Sequence, residues 1–263
     1  SSVATSLAWL MGQEGRRNAA LLDLDVHFGT GALALDLEPG RGLIDAIDNP
    51  ARIDGLFIER AMVRANDKLA ILSAEAPINQ PLLSDGGTFF MLREEISTAF
   101  EATIIDLPRH MMIAYPHMLQ DVDSVVVTTE LTLAAARDTI RLLATLKTVC
   151  PAARIIVVAN KVQAGGSEIS RKDFENSIER SIDFMIPFDA RIAIKAAKLG
   201  KCLAETARGT KLGLPFNRLA QLVISSGEEE DDDNPSPSAS NKSSSLMDKL
   251  STLPTIIKKK PKE

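Results

Sequence analysis

The stretch LLDLDVHFGT, residues 21–30, joins an apolar segment to a run of polar side chains. The apolar residues up to Leu24 predict a buried strand over 19–24. Asp23, Asp25 and His27 occupy alternate positions, so in an extended strand all three point to the same side. Charged groups are costly inside a protein, so carboxylates at the end of a buried strand indicate a polar edge where a ligand binds.

The rest of the sequence, as far as residue 226, alternates short apolar runs with helical patterns. Strands are predicted at 19–24, 69–72, 103–107, 124–128, 154–159 and 182–186. Helices are predicted around 3–15, 42–62, 88–100, 131–148, 170–180, 190–199 and 215–225. Strands that are apolar on both faces and are separated by helices predict a parallel sheet covered on both sides. We therefore expect an α/β fold with a doubly wound, mostly parallel sheet over residues 1–226.

The composition changes after Ser226. Six consecutive acidic residues at 228–233, followed by Pro and Ser, predict a disordered linker over 227–245. The basic segment 246–263 places leucines at helical spacing beside five lysines, which is typical of an amphipathic anchor for a membrane surface or a partner. Pro254 would break such a helix, so a disordered tail is an equally good interpretation.

Composition excludes several classes of protein. Aromatic residues make up 4% of the 263 residues and the net charge is −5, which argues against a specific nucleic-acid partner. Cys150 and Cys202 have no motif spacing and favour a reducing, cytoplasmic location. No apolar run reaches the ~18 residues of a membrane span. The three histidines lack the spacing of metal ligands, which argues against a zinc site.

Polar residues close four of the predicted strands. They are Asp23 and Asp25, then Asp106, then Thr128 and Thr129, then Asn160 and Lys161. Each alone is also explained as a helix cap or turn former. Ligands of doubly wound sheets bind beyond the carboxyl ends of the strands, so the four groups together predict one site at this rim.

Two kinds of site fit this order of residues. In a phosphoacceptor receiver, Asp23 and Asp25 would hold Mg²⁺ and Asp106 would accept the phosphoryl group, with Thr128 and Lys161 beside it. However, 83 residues separate Asp23 from Asp106, whereas one βαβ unit needs about 30. The spacing therefore argues against a receiver.

The second kind of site is a P-loop nucleotide site, in which a Gly-rich loop and the following helix N-terminus hold phosphate. Ser1 and Ser2 precede the first predicted helix and provide hydroxyls where a P-loop supplies one to the metal. We expect the Gly-rich loop immediately before Ser1, and therefore a sequence that is truncated at its N-terminus.

Several blocks of the sequence resemble the MinD/ParA superfamily of deviant Walker A P-loop ATPases. They are SSVATSLAWLM, LLDLDVHFGTGALALDL, IIDLPRH, VVVTTELTLAAARDTIRLL, VVANKV and IPFDARIAIKAAKLG, which together span about residues 1–225. Within the superfamily, the DLDVHFGT and DLPRH blocks are most similar to the CpaE/TadZ type of pilus-assembly proteins. CpaE-like proteins commonly carry a receiver-like domain ahead of the ATPase domain, so we expect one upstream of Ser1.

The resemblance implies roles for individual residues. Ser1 and Ser2 resemble the hydroxyl residues that end the Walker A motif, with Ser1 as a magnesium ligand. Asp106 resembles the Walker B aspartate, which holds the metal directly or through water. The catalytic pair would be Asp25, near the attacking water, and Asp23, near the metal.

The base of the nucleotide has its own residues in the resemblance. Asn160 resembles the residue that reads adenine, with Lys161 next to it. Pro187, Phe188 and Asp189 match a segment beside the base.

The resemblance also implies ATP and Mg²⁺ as cofactors and a homodimer. The superfamily's signature lysine would precede Ser1 and is often replaced in CpaE-like members, so we expect ATP binding with weak or no hydrolysis. The implied function is the localisation or assembly of a tight-adherence (Flp-type) pilus machine, at the cell pole or beside the inner membrane. The implied partners are pilus-assembly proteins such as a secretion ATPase or a polar marker. An active partition- or division-type ATPase and a nucleotide-free scaffold of the same fold are the alternatives.

Overall fold

The computed structural model describes residues 1–13, 17–79, 86–163 and 165–231, with the side chains of the last helix as far as Ser225. The strands of this part are β1 (Ala19–Asp23), β2 (Val63–Asn66), β3 (Leu69–Leu72), β4 (Ala102–Asp106), β5 (Ser124–Thr129), β6 (Arg154–Val162) and β7 (Phe184–Pro187). The first helices are α1 (Ser2–Gln13), α2 (Gly42–Asp48), α3 (Gly55–Ala61), α4 (Gly87–Ala99) and α5 (Arg109–Ala114). The remaining helices are α6 (Leu133–Val149), α7 (Arg171–Ile178), α8 (Ala190–Leu199), α9 (Leu203–Thr206) and α10 (Gly213–Asp231).

The strands form two hydrogen-bonded sheets. The first has the order β2-β3-β1-β4, in which β1 is parallel to both β3 and β4 and only β2 is antiparallel. The second has the order β5-β6-β7 and is parallel throughout. The predicted α/β class with a mostly parallel sheet is confirmed. Among the described residues, however, β4 and β5 do not pair, and their free edges border a cleft between the two sheets.

Helices cover both faces of the first sheet. Within β1, Ala19 and Leu21 pack in the cluster that includes α1 and α10. Ala20 and Leu22 pack in the opposite cluster, with residues of α2, α3 and α4. All five residues of β1 are buried, which explains why the strand is a continuous apolar run until Asp23.

One apolar cluster holds the two sheets together. It lies beneath α1 and combines Leu7 of α1 and Leu21 of β1 with Ile156 and Val158 of β6 and Phe216 of α10. The second sheet is covered on its other face by α6 and α7, where Phe174 is fully buried. The sheets therefore share a core on one side although they are not hydrogen-bonded to each other.

Several predicted elements differ from the observed ones. The single helix predicted over 42–62 is two helices, because Pro50 begins a 3-10 turn and Asp54 then caps α3 by accepting from the Phe57 N–H at 2.7 Å. The short strand β2 and helices α5 and α9 were not predicted. None of the helices in the described ranges is both long and apolar enough to cross a bilayer.

The last helix also extends beyond its prediction. Helix α10 runs to Asp231 rather than to residue 225, so its end overlaps the segment predicted as a linker over 227–245. Three consecutive glutamates at 228–230 are good helix formers, which explains the extension. The rest of that segment and the tail 246–263 lie outside the described residues.

Candidate functional site

Two carboxylates lie side by side where β1 and β4 end. Asp23 and Asp106 are partners in the parallel register, the last pair of that ladder. The side chain of Asp106 keeps 19% of its exposure, whereas Asp23 keeps only 1%. The register therefore brings together two of the predicted acidic residues, despite the long sequence between them, and leaves one of them accessible.

Both carboxylate oxygens of Asp23 accept hydrogen bonds from the loop that follows β1. Its Oδ1 accepts a hydrogen bond from the Asp25 N–H at 3.1 Å, and its Oδ2 accepts one from the Gly31 N–H at 2.9 Å. Burial raises the pKa of Asp23 above its usual 3.8, although these two hydrogen bonds oppose the shift and the negative charges of Asp106 and Asp25 add to it. Because both oxygens hold main-chain groups, Asp23 shapes the loop that follows β1.

Two glycines in this loop allow it to wrap around the Asp23 carboxylate. A Cβ added at Gly29 would lie 2.7 Å from Asp23 Oδ2 and 2.6 Å from the Asp25 carbonyl oxygen. A Cβ at Gly31 would lie 2.9 Å from the same Oδ2. The sequence reasoning missed both residues, although two glycines in the segment HFGTG after an acidic strand end are a readable sign of a close backbone approach.

Asp25 is the half-buried member of the pair. Its Oδ1 accepts a hydrogen bond from the Phe28 N–H at 3.1 Å, and its carbonyl oxygen accepts one from the Gly29 N–H at 2.7 Å. Unlike Asp23, Asp25 lines the cleft between the sheets. The loop therefore presents one carboxylate to the cleft and uses the other to hold itself in place.

The start of α1 lies at the same edge. The Ser1 main-chain nitrogen is 3.4 Å from Asp106 Oδ2, and the Ser1 carbonyl oxygen accepts from the Thr5 N–H at 2.9 Å and from Thr5 Oγ1 at 3.0 Å. The first turn of α1 thus begins against the end of β4. Free N–H groups and the positive end of a helix dipole favour an anion at such a place.

The cleft between β4 and β5 has a volume of 1120 Å³. The predicted site residues that line it are Ser1, Ser2, Asp25, Asp106, Thr128, Thr129, Asn160 and Lys161. Those that do not line it are Asp23, Pro187, Phe188 and Asp189. The structure therefore brings the predicted metal-binding and phosphate-side residues together with Asn160 and leaves Asp23 and residues 187–189 outside the lining.

Asn160 and Lys161 sit in an irregular part of β6. The pairing of β6 with β7 shifts register between Ala159 and Val162, and Lys161 has a left-handed φ of 52°. Such a bulge turns a side chain away from the regular pleat. It places Lys161 Nζ 2.8 Å from Glu130 Oε1, just beyond the end of β5. Glu130, which the sequence reasoning did not single out, is thus the charge partner of Lys161.

The residues that close β5 and β7 have structural tasks. The Thr129 hydroxyl is buried and lies 3.0 Å from the Thr139 hydroxyl of α6, which ties the strand to this helix. Asp189 caps α8, because its Oδ1 accepts from the N–H groups of Arg191 and Ile192, both at 3.0 Å. Phe188 next to it is 49% exposed. No contact in the described structure ties Asp189 or Phe188 to the cleft.

The donors at the cleft suit a hard cation. Carboxylates of Asp25 and Asp106 and the serine hydroxyls at the start of α1 are oxygen ligands, which Mg²⁺ prefers. In the described part of the chain, no group of three or more His, Cys, Asp or Glu side chains is arranged to hold a metal alone. A magnesium ion here would therefore need further ligands, which phosphate oxygens and water commonly supply.

No protein-family model matches the sequence, and no curated protein matches it either. Solved structures are similar: a ParA family ATPase from Chlorobium tepidum has a TM-score of 0.70 at 17% identity, over 84% of this chain and 92% of that one. The cell division ATPase MinD from Pyrococcus furiosus has a TM-score of 0.70 at 19% identity, over 85% and 92%.

A third similar structure is a septum site-determining protein MinD from Pyrococcus horikoshii, complexed with Mg-ADP. Its TM-score is 0.62 at 18% identity, over 84% of this chain and 89% of that one. At these identities the similarity is one of fold. The chain therefore has the α/β fold of the MinD/ParA P-loop ATPases, with a polar site at the carboxyl edge of its strands.

Proposed function

We propose that the protein binds ATP with Mg²⁺ at the carboxyl edge of β4 and β5, and that the nucleotide controls its dimerisation. The observation that carries this proposal is the shared cleft, which Ser1, Asp25, Asp106 and Asn160 all line. In this assignment Ser1 and Asp106 hold the metal, Ser2 and the start of α1 face the phosphates, and Asn160 reads the base. A bound magnesium ion neutralises phosphate charge.

The charges around the cleft support a metal–nucleotide complex rather than free nucleotide. Asp25 and Asp106 are among the acidic residues that line the cleft, and Asp23 is the strand neighbour of Asp106. Lys161 is engaged by Glu130 at 2.8 Å. Polyphosphate alone would meet these like charges, whereas a divalent cation compensates both the carboxylates and the phosphates.

We expect the described residues to hydrolyse ATP only slowly. The cationic side chains that line the cleft in the described part are Arg93, Arg109 and Lys161, and each is already paired with a carboxylate. A free cation that stabilises the transferring phosphoryl group is worth orders of magnitude in rate. Asp25 remains the residue that orients the attacking water, held by the Phe28 N–H.

Exposed apolar residues next to the site support dimerisation. Phe28 is 67% exposed, Ile113 76% and Leu133 64%. They follow the carboxyl ends of β1, β4 and β5 respectively in the chain, the ends at which the site lies. Exposed apolar side chains grouped around a site are typical of an interaction surface. A second copy of the chain is the proposed occupant of that surface when nucleotide is bound.

The proposed cellular role is the localisation or assembly of a tight-adherence pilus machine. Its support is the resemblance of the DLDVHFGT and DLPRH blocks to CpaE/TadZ-type proteins. The protein would then act in the cytoplasm, at the pole or beside the inner membrane, with a secretion ATPase or polar marker as partner. An active partition- or division-type ATPase fits the fold equally well, because the similar structures include a ParA family ATPase and a cell division ATPase.

Sedimentation velocity of the complete protein tests this proposal. We expect a monomer without nucleotide and a dimer with Mg·ATP, while phosphate release stays slow. Brisk turnover that a partner or DNA stimulates would favour the partition- or division-type alternative. Dimerisation that does not depend on ATP and persists in Asp25→Asn would indicate a nucleotide-free scaffold.

A further inference from the structure

The cationic side chains that line the cleft in the described part of the chain differ in how firmly they are held. Arg93 is buried, its guanidinium lies 2.8 Å from Glu94 Oε1, and it also donates to the Gln120 carbonyl oxygen. Lys161 lies 2.8 Å from Glu130, which has no other ion pair among the described residues. Both cations therefore have contacts that a ligand in the cleft would have to break at a cost.

Arg109 is held less firmly. Its guanidinium is 71% exposed and lies 2.6 Å from Asp138 Oδ2 of α6. The same carboxylate group is 3.7 Å from the guanidinium of Arg137 and 4.0 Å from that of Arg141. Asp138 therefore keeps two cationic neighbours if Arg109 moves away. Exposed ion pairs contribute little to stability, so separating Arg109 from Asp138 costs little.

Arg109 also lies close to the acidic end of β4. It follows Asp106 by three residues, so the two Cα atoms are at most about 11 Å apart. Arg109 and Asp138 both line the cleft, whereas Arg137 and Arg141 do not. Arg109 is therefore the arginine of this cluster that can turn toward a ligand in the cleft.

We propose that Arg109 is a phosphate-binding catalytic residue and that Asp138 holds it away from the nucleotide. This inference rests on the ATP binding proposed above and supplies the free cation that the described site otherwise lacks. Once released, the guanidinium contacts the terminal phosphate of ATP and stabilises the negative charge there. Asp138 is a positioning residue, because its 2.6 Å contact directs Arg109 toward α6. The ion pair therefore keeps hydrolysis slow.

Arg109 acts through its charge alone. In hydrolysis, the oxygen of a water molecule bonds to the γ-phosphorus while the bond from that phosphorus to the ADP oxygen breaks, and its electron pair stays on ADP. One water proton remains on the released phosphate and the other passes to solvent, so the guanidinium stays protonated throughout. A cation at the terminal phosphate therefore raises both the affinity for ATP and the rate of its hydrolysis.

The test compares variants of the complete protein. Asp138→Ala releases Arg109 and leaves α6 intact, because alanine is the best helix former and Asp138 is only partly buried. Asp138→Ala/Arg109→Gln then removes the released cation. Asp138→Ala/Arg137→Gln is the matched control, since it has the same net charge but Arg137 does not line the cleft. Asp138→Asn, which keeps the shape of the side chain, takes the place of Asp138→Ala if circular dichroism shows that the latter is unfolded.

Calorimetric titration gives the affinities for Mg·ATP and Mg·ADP, and phosphate release gives the turnover. We expect Asp138→Ala to bind Mg·ATP about tenfold more tightly than the wild type and to release phosphate at least about tenfold faster, with the affinity for Mg·ADP unchanged. The double variant with Arg137→Gln keeps both gains, and the double variant with Arg109→Gln loses both.

Three results would overturn this inference alone, in a wild type that binds ATP. They are no gain in Asp138→Ala, equal gains in the two double variants, and a gain with Mg·ADP as large as that with Mg·ATP. A folded wild type that binds no ATP would overturn the proposed function and this inference with it.

Discussion

Asp23 and Asp106 end neighbouring parallel strands in register, but only Asp106 is open to the cleft. Asp23 is buried, and its two carboxylate oxygens accept hydrogen bonds from the N–H groups of Asp25 and Gly31. The resemblance implies that Asp23 lies near the metal and takes part in catalysis. The hydrogen bonds support a different task, in which Asp23 positions the loop and Asp25 faces the ligand.

The raised pKa of Asp23 makes stability depend on pH in a defined direction. The folded protein holds the Asp23 proton more tightly than the unfolded chain, so ionised Asp23 costs stability. The free energy of unfolding contributed by this group therefore falls as the pH rises from about its usual 3.8 through the raised folded-state pKa.

Asp23→Asn removes that dependence. We expect the stability of the wild type relative to Asp23→Asn to fall with rising pH across this window and to become constant above it. Urea unfolding of both proteins over a pH series measures the difference. If the difference in free energy of unfolding between the two proteins is independent of pH, or rises with pH, then Asp23 is not a buried carboxylate with a raised pKa.

Gly29→Ala tests the close approach of the loop to Asp23. The new Cβ would lie within 2.7 Å of the Asp23 carboxylate and 2.6 Å of the Asp25 carbonyl oxygen, so the loop must shift. We expect a loss of about 1–3 kcal/mol in the free energy of unfolding. Gly55→Ala is the matched control, because a Cβ there has open space, and we expect a change within about 0.5 kcal/mol. If the two substitutions change the free energy of unfolding equally, the loop does not pack closely against the Asp23 carboxylate.

Substitutions of Asp189 distinguish a role as a helix cap from a role in contact with the base. Asp189→Ala removes the acceptor for the Arg191 and Ile192 N–H groups and should cost about 0.5–2 kcal/mol of stability, whereas Asp189→Ser keeps a capping oxygen. If Asp189 only caps α8, both variants retain the nucleotide affinity of the wild type. Thermal unfolding and nucleotide titration are measured on the same samples. A loss of affinity in the stable Ser variant would place Asp189 beside the base, as the resemblance implies.

The apolar rim predicts which residues support the dimer. Phe28→Ser and Ile113→Ser remove exposed side chains beside the site without opening the core, so folding should be unchanged. We expect the Mg·ATP-dependent dimer to weaken by about tenfold or more in each variant. Leu56→Ser, at an exposed position of α3, is the control. Sedimentation at several protein concentrations gives the dissociation constants, and unchanged dimerisation in both rim variants would place the interface elsewhere.

Much of the fold follows from the sequence because buried parallel strands are apolar throughout. The runs that became β1, β3 and β4 lie within about two residues of their predicted bounds, a usual error for strand ends. Strand β2 was missed because its four residues alternate only weakly and it is held by pairing with β3, a tertiary contact. The division into two sheets could not be predicted, because pairing between strands is not encoded by periodicity.

The candidate site was predictable in its residue types and less so in its details. Asp25, Asp106 and Asn160 follow apolar runs, so topology alone brings them to one rim. The burial of Asp23 depends on a loop that returns through Gly31, eight residues later. The Lys161–Glu130 pair depends on a bulge in β6 and on the neighbouring strand. Such features arise from three-dimensional contacts between segments, which a single sequence does not display.

Isothermal titration of the complete protein with ATP tests the central claim most directly. We expect saturable binding with Mg²⁺, binding at least about tenfold weaker when EDTA removes the cation, and a similar loss in Asp106→Asn, since that carboxylate faces the cleft. Glu59→Gln provides the control, because Glu59 is exposed on α3 and does not line the cleft. No heat of binding at millimolar nucleotide with Mg²⁺ present, from a protein that is folded by circular dichroism, would contradict the account.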